Sequence, residues 1–136
     1  MDVSALKIAG TGSIHVKSAA GEPLYDADGK AVRIIVHSPG SKAFGTVESR
    51  QSARAIKRMN ENDGKITAPT SEERIAETAE DLAAITVAFE NLTDGDKIGP
   101  ALFEAVYGNP ELGFITKQVT KYVADWGNFS AVSKPA

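Results

Sequence analysis

The chain has 136 residues, a formal net charge of −3, 42% hydrophobic residues and no cysteine. That length and apolar content suit one folded domain and exclude wholesale disorder. The missing cysteines exclude disulfides, Cys-ligated zinc and a cysteine nucleophile, and the interleaved charges argue against a protein held to nucleic acid by a basic field.

The opening MDVSALKIAG lacks the basic start and long apolar run of a signal peptide. No stretch approaches the roughly 20 apolar residues a membrane helix requires. The expectation is a soluble intracellular protein. Much of the apolar content is alanine, with only three Tyr, five Phe and one Trp, so the isolated monomer is expected to be modestly stable.

Residues 1–40 read as extended. Ser13 to Lys17 alternates weakly around Ile14 and Val16, and Lys30 to His37 holds the β-branched run Val32, Ile34, Ile35 and Val36. Between them Leu24 and Tyr25 are expected to join a short strand, and Asp26-Ala27-Asp28-Gly29 is a turn signal. The product is a small antiparallel sheet of two or three strands. Met1 to Ile8 fits a strand or a short helix equally.

Ser38-Pro39-Gly40 ends this region, and Ser38 or Ser41 can cap the next element. A helix is expected from Lys42 to about Asn60, with a basic outer side of Arg50, Arg54, Lys57 and Arg58, ended by Asn62-Asp63-Gly64. Residues 61–70 form a polar connection. Thr70 and Glu73 make a capping box, opening a helix that runs to about Glu90 with the stripe Ile75, Ala79, Leu82, Thr86 and Phe89. Asn91 to Gly99 is a turn-rich loop, and Pro100 starts a short helix through Tyr107.

The last segment, Pro110 to Ser130, places Leu112, Ile115, Val119, Tyr122, Trp126 and Phe129 at helical spacing. It is expected as one continuous helix of about five turns, capped by Asn109, around which the others pack. Ile115, Val119 and Tyr122 are the expected core. Trp126 and Phe129, near its open end, divide between core and partner contact. Together these elements predict one α+β domain over 1–136. It is mainly β over 1–40 and mainly α over 41–130, with a flexible tail at 131–136: a small N-terminal antiparallel sheet or hairpin followed by a bundle of three to four helices.

Chemistry-bearing patterns are sparse. His15 and His37 could face each other across a hairpin, but no third ligand sits at metal-site spacing. Asp26-x-Asp28-Gly29 and Asp94-Gly95-Asp96 lack the continuation of a calcium loop. Gly10-Thr11-Gly12 and Gly40 to Gly45 match neither a P-loop nor a dinucleotide fingerprint, and no nucleophile elbow or metalloprotease motif is present. No catalytic residue, metal or cofactor is assigned. The arginines are expected to form a solvated face paired with the acidic helix around Glu72 to Asp81, with a protein contact as the sharper reading.

The order and phrasing of the chain resemble the tail assembly chaperones of long-tailed bacteriophages, the small tail components encoded between the tube and tape-measure genes. The resemblance spans nearly the whole chain: EPLYDADGKAVRIIVHSPGSKAF, the basic helix ending QSARAIKRMN, a charged middle helix with an aromatic end, and LFEAVYGNPELGFITKQVTKYVADWGNFS. Asp28 and Gly29 match the family's hairpin turn. Leu102, Phe103 and Tyr107 match its short helix; Asn109, Pro110, Ile115, Gln118, Val119, Asn128 and Phe129 match its terminal helix. Where many relatives place a tryptophan at the end of the middle helix, this chain reads Phe89-Glu90-Asn91-Leu92, and Phe89 is expected to take the aromatic packing role.

The resemblance implies a non-enzymatic protein of the host cytoplasm. It would bind the long helical tape-measure protein and help recruit tail tube subunits, with self-association left open and no nucleic-acid or membrane partner. Such a client needs apolar grooves rimmed by charge. The residues expected to touch partners are Phe89, Leu102, Phe103, Tyr107, Trp126, Phe129, Arg50, Arg54 and Arg58. A structural tail component retained in the virion, or a small nucleic-acid-binding regulator, are the competing readings.

Overall fold

The computed structural model describes residues 1–65 and 68–130; the tail expected at 131–136 lies outside the described residues. The fold is α+β, a three-stranded antiparallel sheet with four α-helices. After a 3-10 turn at Val3–Leu6, strands β1 (Thr11–His15) and β2 (Arg33–His37) pair from Thr11↔His37 to His15↔Arg33. Residues directly opposite share a face, so Gly12 and Val36, and Ile14 and Ile34, lie on one side. The buried side chains Ile14, Ile34 and Val36 mark it as the core side.

The connection between the strands folds inward on backbone hydrogen bonds, three of which tie Val16, Leu24 and Val32 together. Val16 N donates to Val32 O (2.9 Å), Leu24 N to Val16 O (2.9 Å) and Val32 N to Leu24 O (3.0 Å). Leu24 and Tyr25 thus form no third strand; Pro23 and Tyr25 make single bridges to Lys17 and Ala31. The acidic turn is local: the Asp28 and Lys30 amides donate to Asp26 Oδ1 at 2.9 and 2.8 Å, and Gly29 takes a φ of +79°, which a glycine adopts without a Cβ clash.

The third strand comes from mid-chain. Helix α1 (Lys42–Glu61) is capped by Ser41, whose hydroxyl accepts from Phe44 N, and α2 (Ser71–Ala84) by the Thr70–Glu73 box. The expected continuation of α2 to Glu90 does not occur. The chain turns at Ile85 and enters β3 (Thr86–Glu90), antiparallel to β2, with a register slip between Ile35 and Val36. Ile85-Thr86-Val87 is a β-branched run; Thr86 and Phe89, three apart, fit a helical stripe, and in the strand they reach one side only through the register slip. The free edge of β2 decides, since its backbone groups need partners. Phe89, opposite Ile34, then joins the core side.

Helix α3 (Gly99–Tyr107) buries Leu102, Phe103, Val106 and Tyr107. The last segment is not one helix but three pieces: a 3-10 turn at Pro110–Leu112, α4 (Gly113–Ala124) and a 3-10 turn at Trp126–Phe129. The break sits at Asp125, whose backbone is extended and whose carboxylate accepts from Gly127 N at 2.9 Å. A short acidic side chain followed by glycine offers the backbone a local alternative to the helix ladder. Ile115 and Val119 are buried as expected; Val123 is buried and Tyr122 only partly so. Tyr122 and Phe129 meet edge to face at 5.2 Å over Gly12 of β1. A Cβ there would lie 2.7 Å from the Tyr122 hydroxyl oxygen and 2.8 Å from Phe129 Cε1.

Candidate functional site: two exposed surfaces

The residues expected to touch partners fall into three environments. Leu102, Phe103 and Tyr107 are core, and Phe89 is half-buried against them, with ring centroids 4.7 Å from Phe103 and 5.8 Å from Tyr107. Phe89 thus packs its ring on α3 from a strand rather than from a helix end. The Tyr107 hydroxyl shares a 2.8 Å hydrogen bond with Thr86 Oγ1, which also lies 2.7 Å from Leu82 O. Burial pushes the Tyr107 phenol up to about 12, against the opposing pull of that hydrogen bond. This cluster ties α2, β3 and α3 together, and of its members Leu102, Phe103 and Tyr107 are buried from a partner.

The arginines are engaged within the chain. Arg50 Nη1 donates to Glu80 Oε1 at 2.8 Å, and Arg54 Nη1 reaches both oxygens of Asp81 at 2.9 Å. Gln51 adds a 3.1 Å bond to Asp81, and Arg58 pairs with Glu77. Spaced four apart, the three arginines lie along one side of α1 and hold it to the acidic side of α2. This is the pairing with the acidic helix expected from sequence. Only Val47 of the 20-residue α1 is buried, so charge does much of the holding.

The two members of the terminal stripe part company. Phe129 is 1% exposed and its carbonyl accepts from Ala9 N, whereas Trp126 is 56% exposed. The break at Asp125 causes this, since a straight helix would keep both on one face. Trp126 does not stand alone. A Cβ placed on Gly40 would lie 3.6 Å from Trp126 Cζ3 and 3.3 Å from Ile8 Cδ1, so Ile8 and Trp126 flank that glycine. Val3 and Leu6, just before Ile8, are also exposed. The first surface therefore brings Ile8 and Trp126 together from the two ends of the described chain, beside the Ile8↔Ser130 bridge.

The second surface is an open groove of about 560 Å3 between α2 and α3. Ile75, Ala76, Ala79, Gly108 and Pro110 line it with apolar atoms, and Glu72, Glu80 and Glu104 add carboxylates. Its walls meet where Gly108 faces Ala79; a Cβ on Gly108 would lie 3.7 Å from Ala79 Cβ. Ala76 lies beside the apolar stripe of α2 and is exposed, whereas Ala79 of that stripe is buried. The small residues at 76, 79 and 108 are the signal in the sequence that points to this groove.

His15 and His37 do not form a pair. They sit at opposite ends of the β1–β2 ladder, opposite Arg33 and Thr11. His15 Nε2 lies 2.9 Å from Leu24 O, and its ring meets Tyr25 edge-on. Among the described residues no group of three or more His, Asp or Glu is placed to hold a metal ion, and no helix is long and apolar enough to cross a membrane. No protein-family model, no curated protein and no solved structure matches the chain.

Proposed function

We propose that this chain is a tail assembly chaperone of a long-tailed bacteriophage, a non-enzymatic protein that binds the tape-measure protein in the host cytoplasm and promotes tube assembly around it. The order and phrasing of the sequence support the reading, and one structural observation carries it. Trp126, in one of the stretches that carry the resemblance, is more than half exposed beside Ile8, which packs only partly against the core. Large aromatic side chains on such surfaces anchor protein partners. An extended helical client is a partner that buries apolar side chains of this kind.

The nucleic-acid reading has lost its best residues, because Arg50, Arg54 and Arg58 already donate to carboxylates of α2. The test is co-expression with the tape-measure and tube proteins of the same phage, followed by pull-down. Capture of the tape-measure protein by the wild-type chain, lost in Trp126→Ala with unchanged secondary structure, is the expected result. Failure to capture either protein refutes the proposal. Presence of the chain at fixed stoichiometry in purified particles replaces it with a structural tail component.

A further inference from the structure

We infer that the groove between α2 and α3 is a docking site for a cationic amphipathic helix of another protein. The inference is independent of the tail-assembly reading, which rests on the Trp126 surface. Three features of the groove define the occupant. Its floor is apolar and low, since Ala76, Ala79 and Gly108 carry little or no side chain, so an incoming helix can bring its apolar face close to both walls. Its walls are two helices, the setting in which a third helix packs its ridges into the groove between them. From Glu72 to Glu80 it follows α2 for about 12 Å, enough for two to three turns of a docked helix.

Charge sets the sign of the partner. Glu80 is shared with Arg50 and Arg54. Glu72 and Glu104 are exposed, and among the described residues no basic side chain lines the groove. Lysines or arginines flanking an apolar stripe would meet Glu72 on one wall and Glu104 on the other. An acidic or uncharged helix would leave both carboxylates beside a newly dried floor, which disfavours it.

The probe is a fluorescein-labelled synthetic peptide of about 18 residues, with Leu and Ala on one helical face and Lys flanking it, titrated with the full chain. A scrambled peptide of the same composition is the control. The expected result is saturable binding of the patterned peptide, weakened about tenfold or more by added salt, with amide shifts centred on Ile75, Ala76 and Ala79. Glu104→Lys should weaken it about tenfold, and Ala76→Arg, at an exposed position, should abolish it while the melting temperature stays near wild type. Equal binding of the scrambled peptide, unchanged binding by both variants, or no saturable binding overturns the inference. So does a concentration-dependent dimer broken by Ala76→Arg, which would make a second copy the occupant.

Discussion

The break at Asp125 makes Phe129 and Trp126 unequal, and a pair of alanine substitutions measures the inequality. Phe129 is almost wholly buried, with its ring against Tyr122 and Gly12. Its removal should cost about 3–5 kcal/mol, the usual range for a core phenylalanine. For a chain of this size that lowers the melting temperature by roughly 10–20 °C. Trp126 is 56% exposed. If a fully covered tryptophan buries about 200 Å2, then about 90 Å2 is removed from water here. At about 25 cal/mol per Å2 that gives an upper bound of about 2 kcal/mol for Trp126→Ala, less once compactness of the unfolded chain is counted. Urea unfolding followed by far-UV circular dichroism suits both variants, since it does not depend on the deleted indole. Equal losses, or a larger loss for Trp126→Ala, would mean that both side chains share one buried helical face and would refute the broken-helix reading.

Two glycines should respond in opposite directions. Gly12→Ala drives a Cβ into Tyr122 and Phe129 and should cost about 1–3 kcal/mol. Gly45→Ala, in α1 with no atom within 4 Å of the new Cβ, should stabilise by about 0.5–1 kcal/mol in thermal melts. Asp81 accepts from Gln51 and Arg54 in a nearly buried setting. Asp81→Asn, which leaves Arg54 short of a counter-charge, should cost about 2 kcal/mol or more, whereas exposed Glu80→Gln should cost under about 0.5 kcal/mol. The Tyr107 phenol, raised to about 12 in the fold from an ordinary 10, stays protonated where the unfolded chain has lost its proton. The corresponding stability is intact below pH 10 and falls by about 2–3 kcal/mol as the pH rises from 10 to 12. Tyr107→Phe should flatten that alkaline decline in urea melts at graded pH, and an unchanged decline would assign it to other groups.

Local chemistry was legible in the sequence and long-range competition was not. Ser41, Thr70 with Glu73, Asn109 and the Asp26 turn each act through atoms a few residues away, and each behaves as its residue type dictates. The strand at Thr86–Glu90 depends on an edge supplied about fifty residues earlier by β2, and no pattern inside Ile85–Glu90 reports that edge. The terminal stripe failed for a subtler reason. Its spacing is satisfied by a straight helix, but Asp125 and Gly127 interrupt the backbone beneath it, and a periodicity of apolar residues carries no record of that. The same blindness hid the neighbours of Trp126, although Trp126 itself was expected to touch a partner. Ile8 and Gly40 join it through folding, and neither stands near it in sequence.

The partition of the apolar residues bears on where binding can reside. Leu102, Phe103 and Tyr107 look like interface anchors by type, yet a partner could reach them only by prising α3 from β3 and α2. That would undo the aromatic stack and the Thr86 hydrogen bond together, and the cost would consume much of the stability a domain of this size possesses. Trp126 and the exposed Glu72, Ala76 and Glu104 of the α2–α3 groove have no such entanglement, so substitutions there can weaken binding while the fold stands. The core aromatics should behave in the opposite way, losing stability and binding together. Pull-down across a set of variants of equal stability therefore separates the two classes. A variant of Phe103 that lost its client while keeping its melting temperature would show that α3 opens to admit the partner, and the binding surface would then lie inside the fold.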